Sequence, residues 1–265
     1  MSAASYNVML VGKTGSGKSS LGNLLLGKKG FDPKSGWNSG TQTSHWVKSL
    51  LDGVELKITD VPGLSDTHRP EKEILRETAK SVTMVAPGPH VIIFVFSSRE
   101  RYTQEQHAAY TTMKKFFTDR MCRFMIVVFT AIDDIDDVEG SRMDKLTHKI
   151  TTAPPNLMEV LKDVENRYIA VENKAPEPDK RKQRLEIISM LQALCLTNKG
   201  EHFAIPEKVN ALLEEEVQTV QTIQACTREE AENIVKTEIG ADKKPALVEK
   251  VEKQAKSEGW WCTIL

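Results

Sequence analysis

The chain has 265 residues, enough for one large domain or one domain with an appendage, and its 40% apolar content can fill a sizeable core. Its 36 Lys and Arg stand against 37 Asp and Glu, a balance that argues against nucleic-acid binding through bulk charge. Cys122, Cys195, Cys226 and Cys262 have neither metal-ligand spacing nor the density of a disulfide framework, which points to a reducing compartment. The N-terminus lacks a signal pattern and no apolar run approaches a membrane span, so the expectation is a cytosolic chain.

The first element expected is a short apolar strand, Tyr6 to Val11, running into Gly12-Lys13-Thr14-Gly15-Ser16-Gly17-Lys18-Ser19 and then a helix from Ser20 closed by Gly27. G-x-x-x-x-G-K-S between a strand and a helix is a phosphate-binding loop. Its glycines allow positive φ and turn several N–H groups toward one point, where the helix adds the positive end of its dipole. Residues Gly12 through Ser20 are therefore nucleotide-binding candidates. Lys18 reaches for the β- and γ-phosphates, and the Ser19 hydroxyl is placed to ligate Mg²⁺.

Residues 30 to 44 turn polar and glycine-rich and read as a loop. Thr41 is the candidate to complete the Mg²⁺ shell and sense the γ-phosphate, with Thr43 as the neighbouring choice. Two strands follow, His45–Leu51 and Val54–Thr59, joined by an Asp52-Gly53 turn. The second runs into Asp60-Val61-Pro62-Gly63. Asp60, at the end of a buried strand, can hold Mg²⁺ through water, and the Gly63 N–H can approach the γ-phosphate.

A helix is expected over 69 to 86, then a buried strand at His90–Phe96. The capping box Thr103-Gln104-Glu105-Gln106 opens a helix to about Phe117. Arg123–Thr130 and Arg167–Val171 are two more strands. Apolar strands alternating with helices predict a three-layer α/β fold with a mostly parallel sheet, and ligands bind such sheets beyond the carboxyl ends of the strands. The motifs near residues 12, 60, 130 and 172 all follow strands on that edge.

Thr130-Ala131-Ile132-Asp133 lies where guanine-nucleotide-hydrolysing proteins carry N/T-K-x-D or T-x-K-D. A carboxylate at Asp133 can accept from both N1–H and the 2-amino group of guanine, a donor pair that adenine lacks. Ile132 stands where the motif's lysine is expected, so selectivity should survive better than affinity.

On VMLVGKTGSGKSSLGNLLLG, DVPGLSDT, APGPHVIIFVF…RERYTQEQ and NRYIAVENKA, the chain resembles the GIMAP family, the GTPases of immunity-associated proteins, kin to septins and chloroplast import GTPases. The resemblance covers about residues 5 to 200. It implies a P-loop GTPase fold, GTP and GDP binding with Mg²⁺, nucleotide-dependent homodimers across the nucleotide face, and attachment to intracellular membranes. It also implies that Glu172 and Asn173 close over the base. Leu64 and Ser65 follow Gly63 where Ras-like enzymes have a water-orienting glutamine, so monomeric hydrolysis should be slow. Arg101 matches a family arginine that resembles a finger supplied across a dimer, with Arg99 the substitute if the register differs. The catalytic candidates are thus Lys18, Thr41, Gly63 and Arg101.

Beyond residue 200 the composition changes. The expected division is a nucleotide domain over 1–200, a helical extension over 201–258 and a tail over 259–265. Val209, Leu212, Leu213, Val217, Val220 and Ile223 recur at helical spacing, Thr227-Arg228-Glu229-Glu230 is a second capping box, and a last helix is expected from Pro245 to Ser257. The apolar stripe either packs on the nucleotide domain or belongs to a movable helix over the nucleotide-sensing loops. Cys262-Thr263-Ile264-Leu265 reads C-a-a-X, which marks Cys262 for prenylation, beside an interfacial Trp260-Trp261 pair. The functional expectation is a slow GTPase, stimulated by dimerisation and switching at an intracellular membrane. The alternative is a nucleotide-dependent scaffold with negligible hydrolysis.

Overall fold

The computed structural model describes residues 4–31, 45–61, 87–134, 139–224 and 226–237. Six strands form one sheet in the order β2-β3-β1-β4-β5-β6: β1 Ala4–Val11, β2 His45–Leu51, β3 Val54–Asp60, β4 Val91–Ser97, β5 Met125–Thr130 and β6 Tyr168–Ala170. Only the β2–β3 pair is antiparallel, because a two-residue turn joins it, with Asp52 and Gly53 both at positive φ. The other pairings are parallel and need crossovers.

β5 is buried along its whole length and β4 along all but its last residue, as continuous apolar runs demand when helices cover both faces. Alternation along the strands divides the core into two layers. Val8, Leu10, Ile93, Val95 and Val128 face α1 (Lys18–Leu26) and a long helix Glu177–Thr197. Met9, Ile92, Phe94, Val127 and Phe129 face the helices over Gln104–Phe117, Arg142–Thr151 and Pro155–Asp163. In chain order these helices are α2 (Gln104–Phe117), α3 (Arg142–Thr151), α4 (Pro155–Asp163) and α5 (Glu177–Thr197), followed by α6 (Glu207–Gln224) and α7 (Arg228–Thr237).

The Thr103 box forms as expected: its hydroxyl accepts from the Gln106 N–H, and the Gln106 side chain accepts from the Thr103 N–H. Thr227 and Glu230 make the same arrangement ahead of α7. β5 begins at Met125 rather than Arg123, because Asp119–Phe124 curl into a 3₁₀ turn that buries Met121 and Phe124. β4 likewise begins one residue after His90. Val217 and Val220 of α6 pack against Ala231 of α7, and α6 also touches α2, so part of the extension's apolar stripe closes on its own partner helix. The helices expected over 69–86 and 245–257 lie outside the described residues.

At the amino end of the sheet, residues 87–90 dock on the loop after α5. Phe203 N–H donates to Pro89 O at 2.9 Å, and the His90 and His202 rings sit 3.8 Å apart. His90 Nδ1 accepts from the Asn7 N–H at 2.9 Å, which requires the neutral ring in its Nε2–H tautomer. Burial, then the neighbouring His202, pushes the His90 pKa down to about 4, and burial lowers His202 as well. A folded pKa below the unfolded value means that the unfolded chain takes up the proton first. Stability from this pair is therefore complete above about pH 6.5 and lost as pH falls toward 4. Discounted for solvent screening of half-buried rings, the loss is about 1–2 kcal/mol. Urea midpoints at pH 7.5 and pH 5 should show it, and His90→Gln should flatten that slope.

Candidate functional site

The carboxyl edge of the sheet collects the sequence motifs. After β1 the chain turns through Gly12, Gly15 and Gly17 at φ 150°, 83° and 92°. At Gly12 a Cβ would stand 2.4 Å from Val95 O, and at Gly17 one would meet the Thr130 side chain at 3.0 Å. The loop therefore needs glycine for space as well as for φ. Gly17 starts α1 without a side-chain cap, so the first helical N–H groups remain available to an anion.

Lys18 is 6% exposed, and its Nζ donates to Gly12 O at 3.0 Å and Lys13 O at 3.1 Å, curling the loop around its own ammonium. Burial lowers its pKa, and the Asp60 carboxylate partly opposes that. Ser19 Oγ donates to Asp60 Oδ2 at 2.8 Å, joining the start of α1 to the fully buried end of β3. A hydroxyl and a carboxylate in contact beside a phosphate loop are hard oxygen donors, and they fit Mg²⁺. Lys13 is paired with Glu100 at 3.0 Å. Ser16 Oγ is buried with no partner among the described residues.

At the other end of the edge lie the 3₁₀ turn Ile132–Asp134 and the segment after β6. Both carboxylate oxygens of Asp133 are shielded from solvent without a hydrogen bond, and so is Asn173 Oδ1. Three buried acceptors without donors are costly in the free protein, and they describe a site waiting for N–H groups. Ser20 and Asn173 border a cavity of about 330 Å³, ringed by Asn23, Lys28, Lys180 and Arg184. Glu172 is held by its backbone: its N–H donates to Gln183 Oε1 at 2.8 Å, and Gln183 Nε2 donates back to Glu172 O at 3.4 Å.

Thr130 ties the two ends together. Its hydroxyl lies 2.6 Å from Ser16 O and 3.2 Å from Phe96 O, linking the phosphate loop to β4 and β5. Arg101 is exposed and makes no hydrogen bond or ion pair among the described residues. Arg99, the substitute, is instead bonded through Nε to Asp134. Thr41, Thr43, Gly63 and Cys262 lie outside the described residues.

Sequence reasoning missed three contributors. The motif itself gives Thr130 no role, although a threonine at a strand end facing a glycine loop is a detectable brace. Lys174 reaches Asp134 Oδ1 at 2.7 Å, a contact that its place beside Asn173 in the sequence does not signal. Gln183, buried in α5, gave no signal.

Comparison with known proteins places this geometry. The AIG1 family model matches residues 6–226. Immune-associated nucleotide-binding protein 7 of Arabidopsis thaliana is 31% identical over 201 residues, 74% of this chain and 63% of that protein. The chain thus spans less than two thirds of that relative's length. Toc33 from Arabidopsis thaliana in complex with GDP and Mg²⁺ overlays with a TM-score of 0.59 at 17% identity, over 78% of this chain and 89% of that one. A further structure, described with the words "Dimerization is important for the GTPase activity of chloroplast translocon components atToc33 and psToc159", gives 0.55 at 18% identity over 76% and 86%. These overlays share the expected P-loop GTPase fold. With the match running through every described motif from Gly12 to Asn173, the chain belongs to the AIG1 family.

Proposed function

We propose that the protein binds GTP and GDP with Mg²⁺, hydrolyses GTP slowly as a monomer and faster as a homodimer, and works as a nucleotide-dependent switch at an intracellular membrane. The observation that carries the base assignment is the pair of donor-less oxygens on Asp133, supported by Asn173 Oδ1. N1–H and the 2-amino group of guanine supply two adjacent donors to one carboxylate, whereas adenine presents an acceptor at N1.

At the phosphate end, Lys18 exchanges its backbone carbonyls for phosphate oxygens, and the α1 amides hold the same charge. Ser19 and Asp60 would hold Mg²⁺, with Thr41 as the further ligand. The ion would neutralise charge on the phosphates as the bond to the leaving group breaks.

Arg101 is a cation held ready at the surface. It supports hydrolysis in trans, with one protomer's guanidinium reaching the other's phosphates. The dimerisation dependence described for the atToc33 and psToc159 proteins supports the same reading. The GTP rate per molecule should climb with protein concentration, and Arg101→Ala should remove most of that climb, by about 10-fold or more. A flat, near-zero rate with GTP bound would favour the alternative, a nucleotide-dependent scaffold with negligible hydrolysis.

Membrane attachment through a prenylated Cys262 rests on the C-a-a-X ending, with Trp260-Trp261 as a second signal, since one lipid chain seldom anchors alone. No helix among the described residues is long and apolar enough to cross a membrane. Expression in eukaryotic cells should add the mass of one geranylgeranyl group to the intact chain, and Cys262→Ser should carry none.

A further inference from the structure

One carboxylate ties together three neighbouring strand ends around the base site. Arg99 follows β4, Asp134 closes the turn after β5, and Lys174 follows β6. Arg99 Nε donates to Asp134 Oδ2, and Lys174 Nζ donates to Asp134 Oδ1 at 2.7 Å. The same Nζ stands 3.6 Å from Asp133 Oδ2, too far for a hydrogen bond but close enough for Coulomb attraction. Arg99 first, then Lys174, holds the Asp134 carboxyl below its usual range.

Ile132, standing where the motif's lysine is expected, is fully buried in the core, with its N–H directed at Val171 O at 3.4 Å. It cannot reach over a bound base. Thr130 braces the phosphate loop, so neither residue takes the role of covering the purine face.

We propose that Lys174 fills it: anchored through Nζ on Asp134, its four-carbon stem spans the mouth of the base site and covers one face of the purine, with Arg99 fixing the anchor. Stem and anchor divide the labour in the way amphipathic lysines do, the methylenes lying on apolar surface while the ammonium keeps its partner and its water. The side chain is 67% exposed, so a base slipping beneath it covers methylenes now facing solvent without stripping the charge. Coverage of this kind favours any purine. It therefore sets how long a nucleotide stays, while Asp133 decides which one binds.

This inference rests on the guanine-nucleotide reading above, and its test separates the two. Dissociation of a fluorescent GDP from the full chain is followed on chasing with excess GDP. Lys174→Ala should dissociate about tenfold faster, the equivalent of about two methylenes re-exposed, with the preference for GDP over ADP unchanged. Asp134→Ala should also speed dissociation. The double variant should be no faster than Lys174→Ala, because Asp134 acts only through the lysine. A Lys174→Ala rate within about twofold of the unaltered chain, or additive effects in the double variant, overturns the proposal. Asp133→Asn, tested for a shift toward xanthosine diphosphate, is the control. Without that shift the base reading fails; with it, and with an unchanged Lys174→Ala rate, only the lysine's role fails.

Discussion

Asp133→Asn should lower GDP affinity by about 10²–10⁴-fold and raise preference for xanthosine diphosphate, because two charge-assisted hydrogen bonds at about 1.5–3 kcal/mol each are lost. The amide keeps the shape of the carboxylate but offers one oxygen and one NH₂. Guanine presents two donors, so one of them now faces a donor. Xanthine replaces the 2-amino group with a carbonyl, which the new NH₂ can satisfy. In the free protein the same change should leave melting nearly unchanged, since it removes a shielded charge that has no hydrogen bond but also gives up the attraction to the Lys174 ammonium 3.6 Å away. Competition binding with GDP, xanthosine diphosphate and ADP, beside a thermal melt, checks both halves. Lost affinity for all three together with a lower melting temperature would make Asp133 a structural carboxylate.

The sequence shows the phosphate end of this site more fully than the base end, for physical reasons. Gly12, Gly15, Gly17, Lys18 and Ser19 sit in one loop, where each residue type is forced by local geometry, so spacing alone reveals the chemistry. Asp60 was legible too, because a parallel strand must end at the ligand edge. The strand order follows from the same logic: the short Asp52-Gly53 turn dictates the antiparallel pair, and the apolar β4 and β5 belong at the centre. Arg142–Thr151, Pro155–Asp163 and Glu177–Thr197 went unread as helices, although Ser141 with Asp144 forms a capping box and Pro155 opens the next helix. The base end draws on three strand ends distant in sequence. That Ile132 turns inward, and that Arg99 and Lys174 share Asp134, are consequences of tertiary packing. Arg99 and Arg101 illustrate the point: two residues apart in one loop, one is tied to the base-reading turn and the other is exposed.

Lys18→Met should separate binding from folding. In the free protein the ammonium is 6% exposed and held by two backbone carbonyls, and burial already disfavours its charge. Methionine matches its length and fills the same space, so packing is preserved. The change gives up two hydrogen bonds and the attraction to Asp60, but it also removes the cost of keeping a cation out of water, and these oppose each other. The melting temperature of the nucleotide-free protein should therefore move by only a few degrees, on the order of 1 kcal/mol. Affinity has no such compensation. The β- and γ-phosphates lose their buried cation, and GTP and GDP binding should fall by about 10²–10³-fold, the worth of one or two charge-assisted contacts. Calorimetric titration and differential scanning on the same sample test the split. Failure to fold would assign Lys18 to the architecture of the loop. Unchanged affinity would mean that the phosphates lie elsewhere, taking the roles of Ser19 and Asp60 with them.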